Sequence, residues 1–485
     1  MATRSTSSKP TPKRSGPRPA TPRDVPKKVK HPEREPRKMP EGICPHFSKC
    51  GGCQTQDVPY ELQLANKTNH VRRILTEALP AVAIDLRSTL GSSVPWGQRT
   101  KVGFRIVGEP GRLRPAMYRA RSRLLLPITT CPVQSEKATR LAFGAIDAAN
   151  QLGIPAWDER NARGVFRAVV TRQAPGPEQR VHVILVCARA KVEEAQRWAA
   201  LIMEQGADGV SFSHHPDESH LLLSQNVKHL AGHQRLNGEL AGVNYVISPG
   251  AFFQTSQFGV KELVYQVCEA VGVPEGQVLD LYSGAGLFAL AMARKGVNVT
   301  AIEENPSAVE DAEVAKRINN LTNVKLLQGK VVTHLRTMVR NLKESPATVV
   351  MDPPRTGCER GVIDAVCRDL KPQRIVYVSC DLTAFARDIA GLAKGGYRVR
   401  YVQPIDMFPH TELVEVVAVL DRIPAPPRIS ANARRQMEAW RQAAVAEATP
   451  APPAAPTRAG RPVAGRPAAG RPAAGPRKPS RKPRS

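Results

Sequence analysis

Apolar positions along the chain change their spacing twice. Between 59 and 79, PYELQLANKTNHVRRILTEAL carries them at helical intervals, which predicts one amphipathic helix. From 88 to about 247 the spacing is mostly that of strands: KVGFRIV, RLLLPIT, GVFRAVVTRQ, RVHVILVCA, HLLLS and GVNYVIS. One helical stretch, KVEEAQRWAALIMEQG (191–206), interrupts them, so this region reads as an α+β unit. From about 257 helix and strand alternate: QFGVKELVYQVCEAVG, QVLDLYS, GLFALAMARKG, NVTAIEEN, a helix over 306–320, then the strands ATVVMDPP and RIVYVSC. Such alternation specifies a parallel sheet with helices on both faces. The last two strands, GYRVRYVQPIDMF and LVEVVAVLDR, are joined only by a loop and must therefore pair antiparallel.

Charge changes this picture at the ends. Of the net +27, residues 1–40 carry +9 and residues 449–485 another +9, leaving +9 for the patterned middle. Both ends are rich in Pro, Ala, Gly and Ser, and the second repeats AGRPVAGRPAAGRPAAG. Such composition cannot bury enough apolar surface to offset chain entropy, so both are expected to be disordered. They serve either as solubilising tails or as arms for a polyanion. Arg99, Lys101 and Arg105 crowd one strand of the middle region near Arg112, Arg114, Arg119, Arg121 and Arg123, which points to RNA or DNA as partner. No run approaches the length of a membrane span, and no apolar leader follows Met1. The nine cysteines lack the even spacing of a disulfide framework, so a reducing cytoplasm is expected.

Chemistry concentrates after residue 280. VLDLYSGAGLFALAMA is a strand, a glycine turn and a helix, with Gly284 and Gly286 letting backbone approach a ligand. Glu303, at the end of the next strand, is placed to accept from ribose hydroxyls. Those features suit NAD and S-adenosylmethionine equally, and the antiparallel final pair favours the methyltransferase form. MDPPRTG (351–357) puts Asp352 and a Pro-Pro turn at the end of another strand, where amine-methylating enzymes carry an aromatic residue and this chain has Arg355.

In IVYVSCDLTAFARDI (375–389) a strand ends on Cys380 just before a helix start. Cys380 is either a small core residue or a thiol whose pKa the helix lowers. Carbon 5 of uracil is a poor nucleophile, and a thiolate adding to C6 overcomes that. A base must then remove the C5 proton. Glu415, at the start of the last strand, can reach such a site, and Glu412 is a nearby alternative. Separately, Cys44, Cys50 and Cys53, with Cys131 in TTCPVQ, supply four sulfurs that suit zinc or an iron–sulfur cluster equally. The other cysteines, Cys187, Cys268, Cys358 and Cys367, read as core or incidental.

Taken together, CPHFSKCGGCQ, PGAFFQTS, DLYSGAGLF, DPPRTG, VYVSCDLTAFARD and DMFPHTELVE occur in order across residues 41–422, and the chain resembles the RNA uracil-C5 methyltransferases that make 5-methyluridine in 23S rRNA and tRNA. The resemblance implies Cys380 as nucleophile and Glu415 as base. It implies Gln254, Tyr282 and Glu303 around S-adenosylmethionine, with Asp352 between cofactor and base, and a [4Fe–4S] cluster on Cys44, Cys50, Cys53 and Cys131. Leu382 stands where the family usually has Pro, Lys330 stands where an acid near the adenine is expected, and the small N-terminal β-barrel of some members has no counterpart before Cys44.

The expected organisation is a doubly wound, Rossmann-like class I methyltransferase domain with an antiparallel last strand, an α+β RNA-binding insert and an N-terminal iron–sulfur segment. In numbers, 1–40 is a basic tail, 41–87 the iron–sulfur segment and helix, 88–247 the RNA-binding domain, 248–425 the methyltransferase domain, 426–448 a helix and 449–485 a second tail. The expected activity is methylation of uridine C5 in RNA, 23S rRNA before tRNA, by a cytoplasmic monomer. Its rivals are a cytosine-C5 methyltransferase and a non-catalytic iron–sulfur RNA-binding protein.

Overall fold

The computed structural model describes residues 43–80, 82–216, 223, 227–424 and 435. Both basic tails, and all but one residue each of the helix expected over 426–448 and of the HLLLS strand, lie outside the described residues. Among the described residues no helix is long and apolar enough to cross a membrane.

An eight-stranded sheet runs in the order Asp85–Leu86, Tyr397–Ile405, Glu415–Arg422, Arg374–Ser379, Thr348–Met351, Val278–Leu281, Val299–Glu303, Val324–Gln328. Every pairing is parallel except the two made by Glu415–Arg422, which is antiparallel to both neighbours. The strands are apolar almost throughout because both faces are covered. Val278, Val350, Val376 and Val417 face one apolar layer, while Leu279, Val349, Ile375 and Val416 face the other. After Val278–Leu281 the chain first builds outward through 299–303 and 324–328, then returns to the opposite side at 348–351. The glycine turn therefore sits at the reversal of strand order, where open α/β sheets bind ligands.

A second, seven-stranded sheet holds Leu125–Pro127, Arg114–Tyr118, Lys101–Val107, Phe166–Gln173, Val181–Cys187, Gly209–His214 and Val227–Gly232 in that order. Two helices cover it rather than the one expected. Besides Ala195–Glu204, the segment Glu136–Gln151 is helical, with Ser135 accepting from the Ala138 N–H as N-cap. Trp198 joins the two helices by donating to the Ala145 carbonyl at 2.8 Å, and its ring meets Phe166 edge-on. Further elements escaped the pattern: the strands Asp85–Leu86, Arg114–Tyr118, Gly209–His214, Val227–Gly232, Leu236–Leu240 and Val324–Gln328, the helix Val331–Arg340, and the short helical run from Arg360 to Leu370.

The helix expected at 59–79 spans Tyr60–Ala78 and packs Val71 and Leu75 into the layer that holds Tyr377 and Phe385. Just beyond it, Asp85–Leu86 extends the eight-stranded sheet by pairing with Tyr401 and Val402. The same helix carries Lys67, fully enclosed, whose ammonium lies 2.5 Å from Asp406 Oδ1 and donates to the Phe408 carbonyl at 3.0 Å. Tyr60 donates to the other Asp406 oxygen at 2.8 Å. Removing one member of a buried pair leaves an uncompensated charge, so Lys67→Met should lower stability by about 3–5 kcal/mol. Urea unfolding followed by circular dichroism measures this. A loss below about 1 kcal/mol, the range of an exposed pair, would contradict it.

Candidate active site and cysteine centre

At the C-terminal ends of the central strands lies a cleft of about 650 Å³. Gln254, Tyr282, Gly284, Glu303, Asp352, Cys380 and Glu415 all line it, so seven of the eight residues expected at a cofactor or catalytic position converge there. The eighth, Gly286, does not line it. With φ of 78° it begins the helix Leu287–Arg294, and a side chain there would press on Leu290 and Ala312. Gly284, with φ of 54°, has nothing within 4 Å of where its Cβ would be, which leaves its backbone open to a ligand.

Glu303 is oriented by backbone. One carboxylate oxygen accepts from the Gly284 N–H at 2.8 Å and the other from the Asn305 N–H at 2.7 Å. Each oxygen keeps a lone pair for a further donor, as a ribose diol would require. Lys330 also lines the cleft, so the position where the resemblance leads one to expect an acid presents a base.

The far wall carries the reactive groups. Glu415 is 2% exposed, and burial, reinforced by the Asp352 charge, pushes its carboxyl well above the usual range. Asp352 is pushed up to about 7 by burial, with a Gln254 hydrogen bond opposing. Part of its surface remains open to the cleft, but its surroundings are protein on the other sides. Asp280, buried behind the turn, is also raised, by burial and then by Asp352. Five acids, Glu303, Glu304, Asp352, Glu359 and Glu415, thus line one cleft, with Asp280 buried behind it.

The thiol does not behave as the sequence suggested. Cys380 follows the strand Arg374–Ser379, and the helix Leu382–Lys394 begins just behind it, but Asp381 caps that helix by accepting from the Thr383 and Ala384 N–H groups. A carboxylate therefore occupies the helix end that was expected to favour a thiolate. Burial and then the Glu415 charge raise the thiol, while a hydrogen bond and charge from Arg355 lower it. Arg355, noticed in the sequence only as the absence of an aromatic residue, is the cation beside the thiol. Phe408, inside the DMFPHTELVE stretch but not singled out there, also lines the cleft. Glu412 is exposed and is not among the lining residues.

Cys44, Cys50, Cys53 and Cys131 line a second, smaller cavity. Among the described residues no three His, Cys, Asp or Glu side chains are gathered as tightly as a single metal ion requires. Hydrogen-bond donors nevertheless lie close to these sulfurs. The Gly52 N–H approaches Cys50 Sγ at 3.4 Å, and Gln56 and Gln134 hydrogen-bond Cys53 and Cys131. Arg99, read from the sequence as part of an RNA-binding strand, lines this cavity instead, and its buried Nε has no hydrogen-bond partner. Burial pushes Cys131 up to about 12 and raises Cys50 and Cys53 as well.

The large sheet with its antiparallel last strand and glycine turn is an α/β methyltransferase fold. Residues 232–423 match the family model described as tRNA (Uracil-5-)-methyltransferase. An RNA methyltransferase of Enterococcus faecalis is 31% identical over 386 residues, covering 78% of this chain and 83% of the relative. One from Oceanobacillus iheyensis is 31% identical over 378 residues, covering 76% and 81%. The crystal structure of the Pyrococcus abyssi tRNA (uracil-54, C5)-methyltransferase with S-adenosyl-L-homocysteine superimposes with a TM-score of 0.62 at 27% identity, covering 76% of this chain and 85% of that one. The chain belongs to the RNA uracil-5 methyltransferase family and is an S-adenosylmethionine-dependent RNA methyltransferase.

The charges around Cys380 make a signed prediction. Its raised pKa means that thiolate accumulates as pH rises, Arg355 bringing this earlier and Glu415 later. In Arg355→Met the pH midpoint for alkylation of Cys380 should move up, and in Glu415→Gln it should move down. Mass-mapped iodoacetamide labelling across pH reads both, and unmoved midpoints would show that neither group faces the thiol.

Proposed function

We propose that this enzyme methylates C5 of a uridine in RNA through a covalent bond between Cys380 and uracil C6. The observation that carries the reading is the meeting of Cys380, Arg355, Asp352 and Glu415 in the cleft whose opposite end presents Gly284 and Glu303. S-adenosylmethionine, when bound, supplies an electrophilic methyl group, and the surrounding acids suit its positive charge. Gln254, Tyr282, Gly284, Glu303 and Asp352 would hold it, with Gly286 shaping the turn.

Cys380 forms a bond from Sγ to C6, and the electron pair of the C5–C6 double bond moves onto C5 and the adjacent carbonyl. Arg355 favours the thiolate that begins this step. Once C5 carries its methyl group, Glu415 takes the remaining C5 proton, the double bond reforms and Sγ leaves. Glu415 is raised by burial and can retain that proton after taking it.

Cys44, Cys50, Cys53 and Cys131 are proposed to hold a [4Fe–4S] cluster, supported by one cavity lined by four thiols with N–H donors around it. The exposed arginines at 112, 114, 119, 121 and 123 support the seven-stranded unit as the RNA-binding part. A monomeric cytoplasmic protein belongs to the same reading. The RNA expected from the sequence is 23S rRNA, and the likeness to a solved tRNA enzyme favours tRNA as the second reading. Mapping 5-methyluridine in rRNA and tRNA from a deletion strain distinguishes them.

Mutants test the chemistry. Cys380→Ala should abolish transfer while S-adenosylmethionine binding persists. Glu415→Gln should alkylate C5 but stall before elimination, trapping a protein–RNA adduct that survives denaturing electrophoresis and carries the new methyl group. An active Cys380→Ala enzyme, or an adduct trapped by Glu412→Gln instead, would remove the assigned roles.

A further inference from the structure

The segment bearing three of the four thiols does not stop at the thiols. Immediately after Cys53, the N–H groups of Gln54 and Thr55 donate to one acceptor, the His410 carbonyl, at 2.9 and 3.2 Å. His410 belongs to the loop 406–414 between the last two strands, which puts Phe408 into the cleft and leads the chain into Glu415. That loop is the only covalent path between the strand Tyr397–Ile405 and the proposed base.

His410 is 3% exposed and has φ of 64°, a left-handed conformation that a non-glycine residue rarely adopts without support. The support is visible. Its ring stacks on Trp96 with centroids 3.9 Å apart. Its N–H donates to Gln63 Oε1 at 3.1 Å, and its Nδ1 lies 3.3 Å from Gln63 Nε2. The Thr55 hydroxyl donates to the same Gln63 oxygen at 3.1 Å. Lys67 and Asp406 fix the other end of the loop, with the Phe408 carbonyl taken by Lys67. On its opposite side the cysteine segment is tied to the arginine-bearing hairpin: Gly51 N–H donates to the Tyr118 carbonyl and Ala120 N–H to the Lys49 carbonyl, both at 2.9 Å.

We propose that residues 50–55 are a positioning device for the active-site loop, and that His410 is the positioning residue through which they set Phe408 and Glu415 in the cleft. A cysteine centre that does not line the cleft then has a defined task, which is to hold a strained loop between the arginine-bearing hairpin and the base. The part of this that concerns rate rests on reading Glu415 as the base. The mechanical part does not.

The test uses full-length protein purified without oxygen, with all four cysteines present, as His410→Ala, His410→Asn and Gln63→Leu. Amide hydrogen exchange is read over 406–416 and 44–55, with no RNA added. Single-turnover methylation of total RNA from a deletion strain is read beside separate S-adenosylmethionine and RNA binding. In His410→Ala, exchange should accelerate in both segments and transfer should fall by roughly 10- to 100-fold with binding unchanged, the usual cost of misplacing a catalytic group by about 1 Å. His410→Asn tolerates the left-handed backbone and should recover most of the loss. Gln63→Leu breaks the hydrogen bonds without touching the strained residue and carries the same expectation if His410→Ala does not fold. Unchanged exchange over 406–416 in both His410→Ala and Gln63→Leu would overturn the positioning device itself. Faster exchange with a wild-type transfer rate would overturn its link to Glu415.

Discussion

The register between the strands Arg374–Ser379 and Glu415–Arg422 is the constraint on which the site depends. Ser379 pairs with Val416, so the next positions outward are Cys380 on one strand and Glu415 on the other. Side chains alternate faces along a strand, and a slip of one residue would turn every apolar residue of the last strand to the wrong layer. The apolar burial that fixes the sheet therefore also fixes the distance between thiol and base. Because the last strand enters antiparallel between two neighbours, its incoming loop must cross the mouth of the cleft. Lys67, Asp406 and His410 are what that crossing requires.

The electrostatics follow from the same placement. Carboxyl groups at strand ends under a covering loop lose solvent, and Asp352 and Glu415 are both raised as a result. Buried, mutually repelling acids disfavour their charged forms, and only Arg355 offsets them for Glu415. A fold selected for stability alone would not keep this arrangement, whereas a site that must hold a cation and move a proton has use for it.

Much of this was legible in the chain. Strands such as Val278–Leu281 and Arg374–Ser379 announce themselves as short, mainly apolar runs leading into Gly, Pro or Cys, and chemistry at their ends follows from the doubly wound topology. Glu136–Gln151 was missed because its buried face is mostly alanine, which gives little hydrophobic contrast. Val324–Gln328 is an edge strand with only one fully buried position, too weak a pattern to register. Arg355 was seen without its role, since nothing local shows that it faces Cys380. Lys67 with Asp406 and Gln63 with His410 are joined across more than three hundred residues, and no local pattern encodes such a meeting. The sign of the Cys380 shift is opposite to the one expected from a helix start because burial, followed by the Glu415 charge, raises the thiol.

The central claim is a covalent bond between Cys380 and uracil, followed by loss of the C5 proton. Intact-mass analysis of the wild-type enzyme with S-adenosylmethionine and RNA containing 5-fluorouridine tests it directly, because fluorine at C5 leaves no proton for Glu415 to remove. The account predicts a stable species at the summed mass of protein, RNA and one methyl group, with the RNA attached at Cys380. Binding of that RNA with no covalent species, or attachment at another residue, would contradict it.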